Sequence, residues 1–87
     1  MKRIESNEDN LAKHGVLEEE VREILNSKGR KYFRKVRRDA YQVIWQTLAG
    51  RYLEVVYKIR PKVVHVFHVM DARPWQIKLV KRRGKRS

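Results

Sequence analysis

The side chains of this sequence that could do chemistry are arginines, lysines, tyrosines and histidines, which surround a predicted β-sheet. The 87 residues include 22 lysines and arginines, four tyrosines, three histidines and no cysteine. These side chains suffice for metal-free RNA cleavage, in which a 2′-hydroxyl attacks the adjacent phosphate with the help of a base, an acid and cations. They suffice equally for nucleic-acid binding without catalysis, and composition alone favours binding.

Other chemistries lack their motifs or their spacing. There is no Gly-rich phosphate loop and no nucleophile elbow. His65 and His68 are three residues apart in a predicted strand, so we expect them on opposite faces, where they cannot hold one metal ion. His14 falls at a predicted helix end, where it can bond terminal carbonyl groups. The adjacent glutamates 18–20 suit the positive end of a helix dipole. We therefore predict no metal and no cofactor.

Charge is distributed very unevenly along the chain. Residues 1–26 hold four basic and seven acidic side chains, whereas residues 27–87 hold eighteen basic and three acidic ones. Such a basic field attracts polyanions, and nucleic acid is the commonest of these in the cytosol. An acidic protein partner would satisfy the same electrostatics. The cations that we predict to bind nucleic acid are Arg30, Lys31, Arg34, Lys35, Arg37, Arg38, Lys81, Arg82 and Arg83.

Length and hydropathy predict one cytoplasmic domain over residues 1–83, followed by a frayed basic tail over residues 84–87. The first ten residues lack the apolar region of a signal peptide, and no apolar run is long enough for a membrane span.

The strands are predicted by alternating apolar residues and by turn signals. Residues 51–59 alternate with a period of two, which is typical of a half-buried strand, and Gly50 marks the turn before them. Pro61 separates this strand from a β-branched strand over residues 63–70. A further strand begins at Tyr41. Residues 31–37 are polar enough for a basic edge strand.

Three helices complete the predicted fold. The first runs from Ser6, as its cap, to His14, and Gly15 ends it. The second covers residues 17–26, where apolar residues recur on one face. The third begins at Pro74, presents Trp75 on its apolar face and ends at Gly84. The predicted class is α+β, with two N-terminal helices, a small four-stranded antiparallel sheet and a C-terminal helix.

Three stretches of the sequence resemble the BrnT family of type II toxins. They are NLAKHGVLEEEVREIL, then YQVIWQTLAGRYLEVVYKI, then VMDARP. Residues that match family motifs include the Lys-His-Gly-Val corner at positions 13–16, Gly50-Arg51-Tyr52-Leu53, and Ala72-Arg73-Pro74. The resemblance runs from Asn10 to Arg83. Leu17 stands where the family usually has Ser or Thr, and the last helix lacks the family's usual Glu followed by Arg and Tyr.

The resemblance implies a RelE-like fold, an endoribonuclease that cleaves mRNA and inhibits translation, and a cognate antitoxin that neutralises it. On this hypothesis Arg51 and Arg73 hold the scissile phosphate, while His68 or a tyrosine such as Tyr52 moves protons. Each arginine also has a structural interpretation. Arg51 can pair with Glu54 or Asp71, and Arg73 falls at a strand-to-helix corner, where a cation can be purely structural.

Two alternatives stay open at this point. The same basic fold could bind nucleic acid without cleaving it, which the altered last helix favours. It could also serve as an interaction module for an acidic protein.

Overall fold

The computed structural model of the protein describes residues 3–29 and 31–85, with side chains for residues 3–29 and 31–82. The strands are β1 (Arg3–Ser6), β2 (Tyr32–Lys35), β3 (Ala40–Gln46), β4 (Tyr52–Ile59) and β5 (Val63–Asp71). The helices are α1 (Glu8–Lys13), α2 (Glu18–Asn26) and α3 (Pro74–Lys85). The predicted α+β class is confirmed.

The sheet of the described chain has five strands in the order β1-β5-β4-β3-β2. Strands β2 to β5 form the predicted antiparallel meander, and β2 is its edge strand. The four-strand prediction is wrong by one strand, because β1 adds to β5 in parallel and pairs Arg3 with Val63. Three of the four residues of β1 are polar, and this short stretch carries no strand signal of its own, so only pairing with β5 makes it extended.

Capping decides where the first two helices begin. The cap of α1 is Asn7, whose Oδ1 accepts from the Asn10 N–H at 3.1 Å, so the prediction that Ser6 caps this helix is wrong. Ser6 belongs to β1 instead. At α2 the Leu17 side chain cannot cap, and the Glu20 carboxylate accepts from the Leu17 N–H at 2.9 Å. Gly15, with φ of 62°, makes the turn between these helices, as predicted.

Helices α1 and α2 cover one face of the sheet. Leu53, Val55 and Tyr57 alternate into the core along β4, as the period-2 pattern predicts. The fully or largely buried residues of this core are Leu11, Val16, Val21, Ile24, Val43, Leu53, Val55, Tyr57, Val66 and Val69. The helices and the sheet thus bury one continuous apolar layer.

A β-bulge in β5 changes the faces on which its side chains lie. Val56 pairs with His68 and Tyr57 pairs with Val66, so Phe67 is an extra residue in the ladder. His65 and His68 therefore lie opposite Lys58 and Val56, which are alternate residues of β4. The prediction that the two histidines lie on opposite faces is wrong, because simple alternation assumes a ladder without a bulge.

Helix α3 lies against the other face of the sheet. Its first turn is held by Gln76, 3% exposed, whose Nε2 donates to Glu54 Oε1 at 3.0 Å. The other oxygen of Glu54 accepts from the buried Gln42 amide at 2.7 Å. Gln76 Oε1 in turn accepts from the Arg73 N–H at 2.8 Å, so this polar network fixes the corner between β5 and α3.

Two predictions for α3 are wrong. Trp75 is 56% exposed and does not belong to an inward apolar face, since Gln76 and Val80 take the buried positions. The helix also continues through Gly84 to Lys85. Trp45, by contrast, packs against the core.

Candidate functional site

His14 and His68 lie close together where α1 runs along the part of the β5 edge that β1 does not cover. Strand β1 pairs with β5 only as far as Val66. The chain then turns into α1, and Asn10 Oδ1 accepts from the Val69 N–H at 2.7 Å, so a side chain continues the edge pairing that β1 began. This bond fixes α1 beside β5 and places His14, at the end of α1, next to His68.

The imidazole rings of His14 and His68 have centroids 6.3 Å apart and an interplanar angle of 75°. Both side chains are half-buried, so each keeps some access to a ligand. Histidine can accept and donate a proton near neutral pH, which suits it to general acid–base chemistry. Of these two residues, sequence reasoning put only His68 among the catalytic candidates and interpreted His14 as a helix stop. The Lys-His-Gly-Val corner at positions 13–16 was the sequence signal that could have added His14 to the catalytic candidates.

Arg51 hydrogen-bonds to the corner between α1 and α2, which includes His14. Its guanidinium donates to the His14 carbonyl at 3.1 Å and to the Gly15 carbonyl at 2.8 Å. It also donates to Glu20 at 3.3 Å and to both oxygens of Asp71 at 2.8 and 3.2 Å. A guanidinium has five N–H donors, and these five bonds occupy them. Arg51 could therefore contact a phosphate only by exchanging one of these partners.

The charges around Arg51 stabilise one another. The hydrogen bond from Arg51 lowers the pKa of Asp71, and the nearby His14 contributes in the same direction. The same bond to Asp71 raises the pKa of Arg51, with Glu20 adding to the effect. Both groups are thus held in their charged forms, which keeps the α1–α2 corner against the start of β4 and the end of β5.

The other two catalytic candidates, Tyr52 and Arg73, are not among the hydrogen-bond partners of the Arg51 guanidinium. Tyr52 follows Arg51 directly in the chain, so its side chain points to the other face of the sheet, and it is half-buried. Arg73 is exposed at the corner between β5 and α3. Its backbone is fixed by Gln76, and within the described residues its guanidinium has no hydrogen bond or ion pair. It is therefore a cation that is available to a ligand.

The predicted nucleic-acid-binding cations fall into different environments. Lys31 closes the end of α2, since its Nζ donates to the carbonyls of Ile24 and Leu25, both at 3.2 Å. Its partial burial lowers the pKa of Lys31. Arg34 donates to Gln42 at 2.9 Å. The exposed members of this predicted set are Arg34, Lys35, Arg37, Arg38, Lys81 and Arg82. Arg30 and the side chain of Arg83 lie outside the described residues.

The described residues hold neither a metal-binding cluster nor a membrane-spanning helix. Among them, no three histidine, aspartate or glutamate side chains lie close enough to hold a metal ion together. No helix within that part of the chain is long and apolar enough to cross a membrane.

The arrangement of helices and sheet defines a class of fold that also occurs in a ribonuclease toxin. That protein is the ribonuclease toxin BrnT of Brucella abortus, whose crystal structure matches this chain with a TM-score of 0.64 and 18% sequence identity. The match covers 84% of this chain and 99% of the toxin. The predicted resemblance is thus confirmed at the level of the fold. No protein-family model and no curated protein matches the chain.

Proposed function

We propose that this protein is the toxin of a type II toxin–antitoxin pair and a metal-independent endoribonuclease that cleaves mRNA and so inhibits translation in the cytoplasm. The observation that carries the proposal is the pair of His14 and His68, whose ring centroids are 6.3 Å apart where α1 lies along the edge of β5. The fold that it shares with a ribonuclease toxin supports the same conclusion.

The reaction needs one base and one acid at the same phosphodiester. One imidazole takes the proton of the 2′-hydroxyl as its oxygen attacks phosphorus, and the P–O5′ bond breaks. The other imidazole gives its proton to the departing 5′-oxygen. The products are a 2′,3′-cyclic phosphate and a 5′-hydroxyl. Arg73, which has no ion partner among the described residues, supplies positive charge for the phosphorane.

His65 offers a matched control for the test of this proposal. It lies on the same strand as His68 but is exposed and pairs with Lys58, away from His14. Purified wild-type protein should cleave RNA in EDTA and leave 5′-hydroxyl ends, which polynucleotide kinase can label. His14→Gln and His68→Gln should each slow cleavage by about 100-fold or more, whereas His65→Gln should not. Equal rates for all three variants would contradict the assignment.

A second function, nucleic-acid binding without cleavage, is favoured by one observation on Arg51. A guanidinium with all five donors engaged by protein groups has none left to give a phosphate. Intact RNA after incubation with wild-type protein, together with salt-dependent binding, would support this function instead.

The proposed partner is an antitoxin that covers the basic, partly apolar surface of the sheet. A permanent complex of this kind should bury on the order of 2,000 Å² or more. Co-expression with the product of the neighbouring gene, followed by size exclusion, should give one peak that contains both proteins. Two separate peaks would count against the toxin assignment.

A further inference from the structure

Three aromatic rings form a stack that crosses the sheet from its core to its edge. Phe33 and Tyr41 have ring centroids 5.5 Å apart and an interplanar angle of 18°. Tyr41 and Tyr57 follow with 5.8 Å and 28°. We refer to Phe33, Tyr41 and Tyr57 as the aromatic ladder.

Exposure increases along the aromatic ladder. Tyr57 is 9% exposed and belongs to the core, Tyr41 is half-buried, and Phe33 on the edge strand is 48% exposed. Tyr41, itself stacked on Tyr57, supports one side of the Phe33 ring, so the accessible side of Phe33 is an aromatic surface at the sheet edge. A ring in this position is open to stacking by one more flat group.

Positive charge lines the end of the sheet next to the aromatic ladder. Lys35 is exposed and lies directly opposite Tyr41 in the register of β2 and β3. The exposed Arg37 and Arg38 follow in the β2–β3 connection, and Arg60 and Lys62 are exposed in the β4–β5 turn. These two turns lie at the same end of the sheet, where Arg60 pairs with Asp39.

The acidic residue at this end does not cancel the positive field. Asp39 is engaged by Arg60, and that hydrogen bond lowers the pKa of Asp39. The cations at positions 35, 37, 38 and 62 make no ion pair among the described residues. A ligand that lay across this surface would therefore meet a flat apolar ring beside several available cations.

We propose that the aromatic ladder and its flanking cations form a binding site for single-stranded RNA, in which an unpaired base stacks on Phe33 and the neighbouring phosphates contact Lys35 and Arg37. Aromatic rings beside basic side chains bind single strands because every base has a stacking face and every nucleotide carries a phosphate. A duplex hides its bases in its own stack and cannot use Phe33. This inference rests on the proposed function and specifies its substrate as unpaired RNA.

The test uses a fluorescent 12-nucleotide 2′-O-methyl RNA, which cannot be cleaved through its 2′-oxygen, and the same RNA annealed to its complement. Phe33→Ala should weaken binding of the single strand by about tenfold and leave duplex binding unchanged. Phe33→Trp should retain single-strand affinity. The matched control is Trp75→Ala, which removes an exposed aromatic ring from α3 on the other face. Thermal unfolding verifies that every variant is folded.

The outcomes separate this inference from the proposed function. Cleavage by the wild type together with unchanged affinity of Phe33→Ala would overturn the base-stacking site and leave the ribonuclease intact. Equal losses for single strand and duplex would also overturn it. If Phe33→Ala abolishes binding of the co-expressed protein partner without changing RNA affinity, the surface serves that partner instead. Loss of single-strand binding with normal duplex binding supports the site whether or not the wild type cleaves RNA.

Discussion

Arg51 at the start of β4 holds both carboxylate oxygens of Asp71 at the end of β5, with N–O distances of 2.8 and 3.2 Å. The same guanidinium reaches the backbone carbonyls of His14 and Gly15. One side chain thus connects two adjacent strands to the corner between two helices. The position of the His14 imidazole relative to the sheet depends on this connection.

Arg51→Lys should destabilise the protein and weaken catalysis together. A lysine ammonium keeps the charge but cannot make two parallel bonds to Asp71 while it also bonds two carbonyls. We expect a loss of about 2 kcal/mol in the free energy of unfolding, since the half-buried acceptors of His14 and Glu20 lose their donors together with the paired bonds to Asp71. Denaturant unfolding measures the stability. The control is Lys81→Ala, which removes an exposed cation from α3. It should change the free energy of unfolding by less than about 0.5 kcal/mol.

The Asp71 carboxylate should make stability depend on pH. Because its pKa is lowered in the folded state, Asp71 contributes stability above its unfolded pKa of about 3.9 and loses that contribution as the pH falls through the folded value. Asp71→Asn should therefore be less stable than the wild type at pH 7, and the difference should shrink below about pH 4. Thermal unfolding at a series of pH values checks this. A constant difference from pH 7 to pH 2 would contradict the proposed ion pair.

Arg73→Ala should slow RNA cleavage far more than it weakens RNA binding. Loss of one cation that acts on the developing phosphorane charge typically costs about 100- to 1,000-fold in rate. The melting temperature should not change, because the corner is fixed by the Arg73 backbone N–H and not by its guanidinium. Single-turnover cleavage in EDTA and RNA affinity are measured side by side. Equal losses of cleavage rate and of RNA affinity would show that Arg73 is only one phosphate contact among many.

RNA affinity should fall steeply with salt concentration. Each lysine or arginine that contacts a phosphate releases a counterion, so the logarithm of the binding constant should decrease linearly with the logarithm of the salt concentration. Lys35→Ala or Arg37→Ala should each reduce that slope by about one unit if its side chain contacts a phosphate. Fluorescence anisotropy with the uncleavable RNA gives the slopes. A flat response between low and physiological salt would exclude a polyanion ligand.

Most of the helices and strands could be predicted from the sequence, because their signals come from near neighbours in the chain. The alternation of residues 53, 55 and 57, the left-handed glycines at positions 15 and 50, and the basic edge strand follow from residue types and spacing alone. The basic composition likewise predicted a polyanion ligand. Each of these features depends on neighbours in the chain.

Contacts between residues that are far apart in the chain could not be predicted from the sequence, because they depend on how the elements pack. Strand β1 is extended only because β5 offers it an edge, and the bulge at Phe67 overrides the alternation that separated His65 from His68. His14 and His68 are far apart in the chain and become neighbours through the bond from Val69 N–H to Asn10. Arg51 had Glu54 and Asp71 as candidate partners, and the pairing of β4 with β5 brings Asp71 to its guanidinium. Contacts of this kind depend on packing and register across the whole sheet, which no local pattern contains.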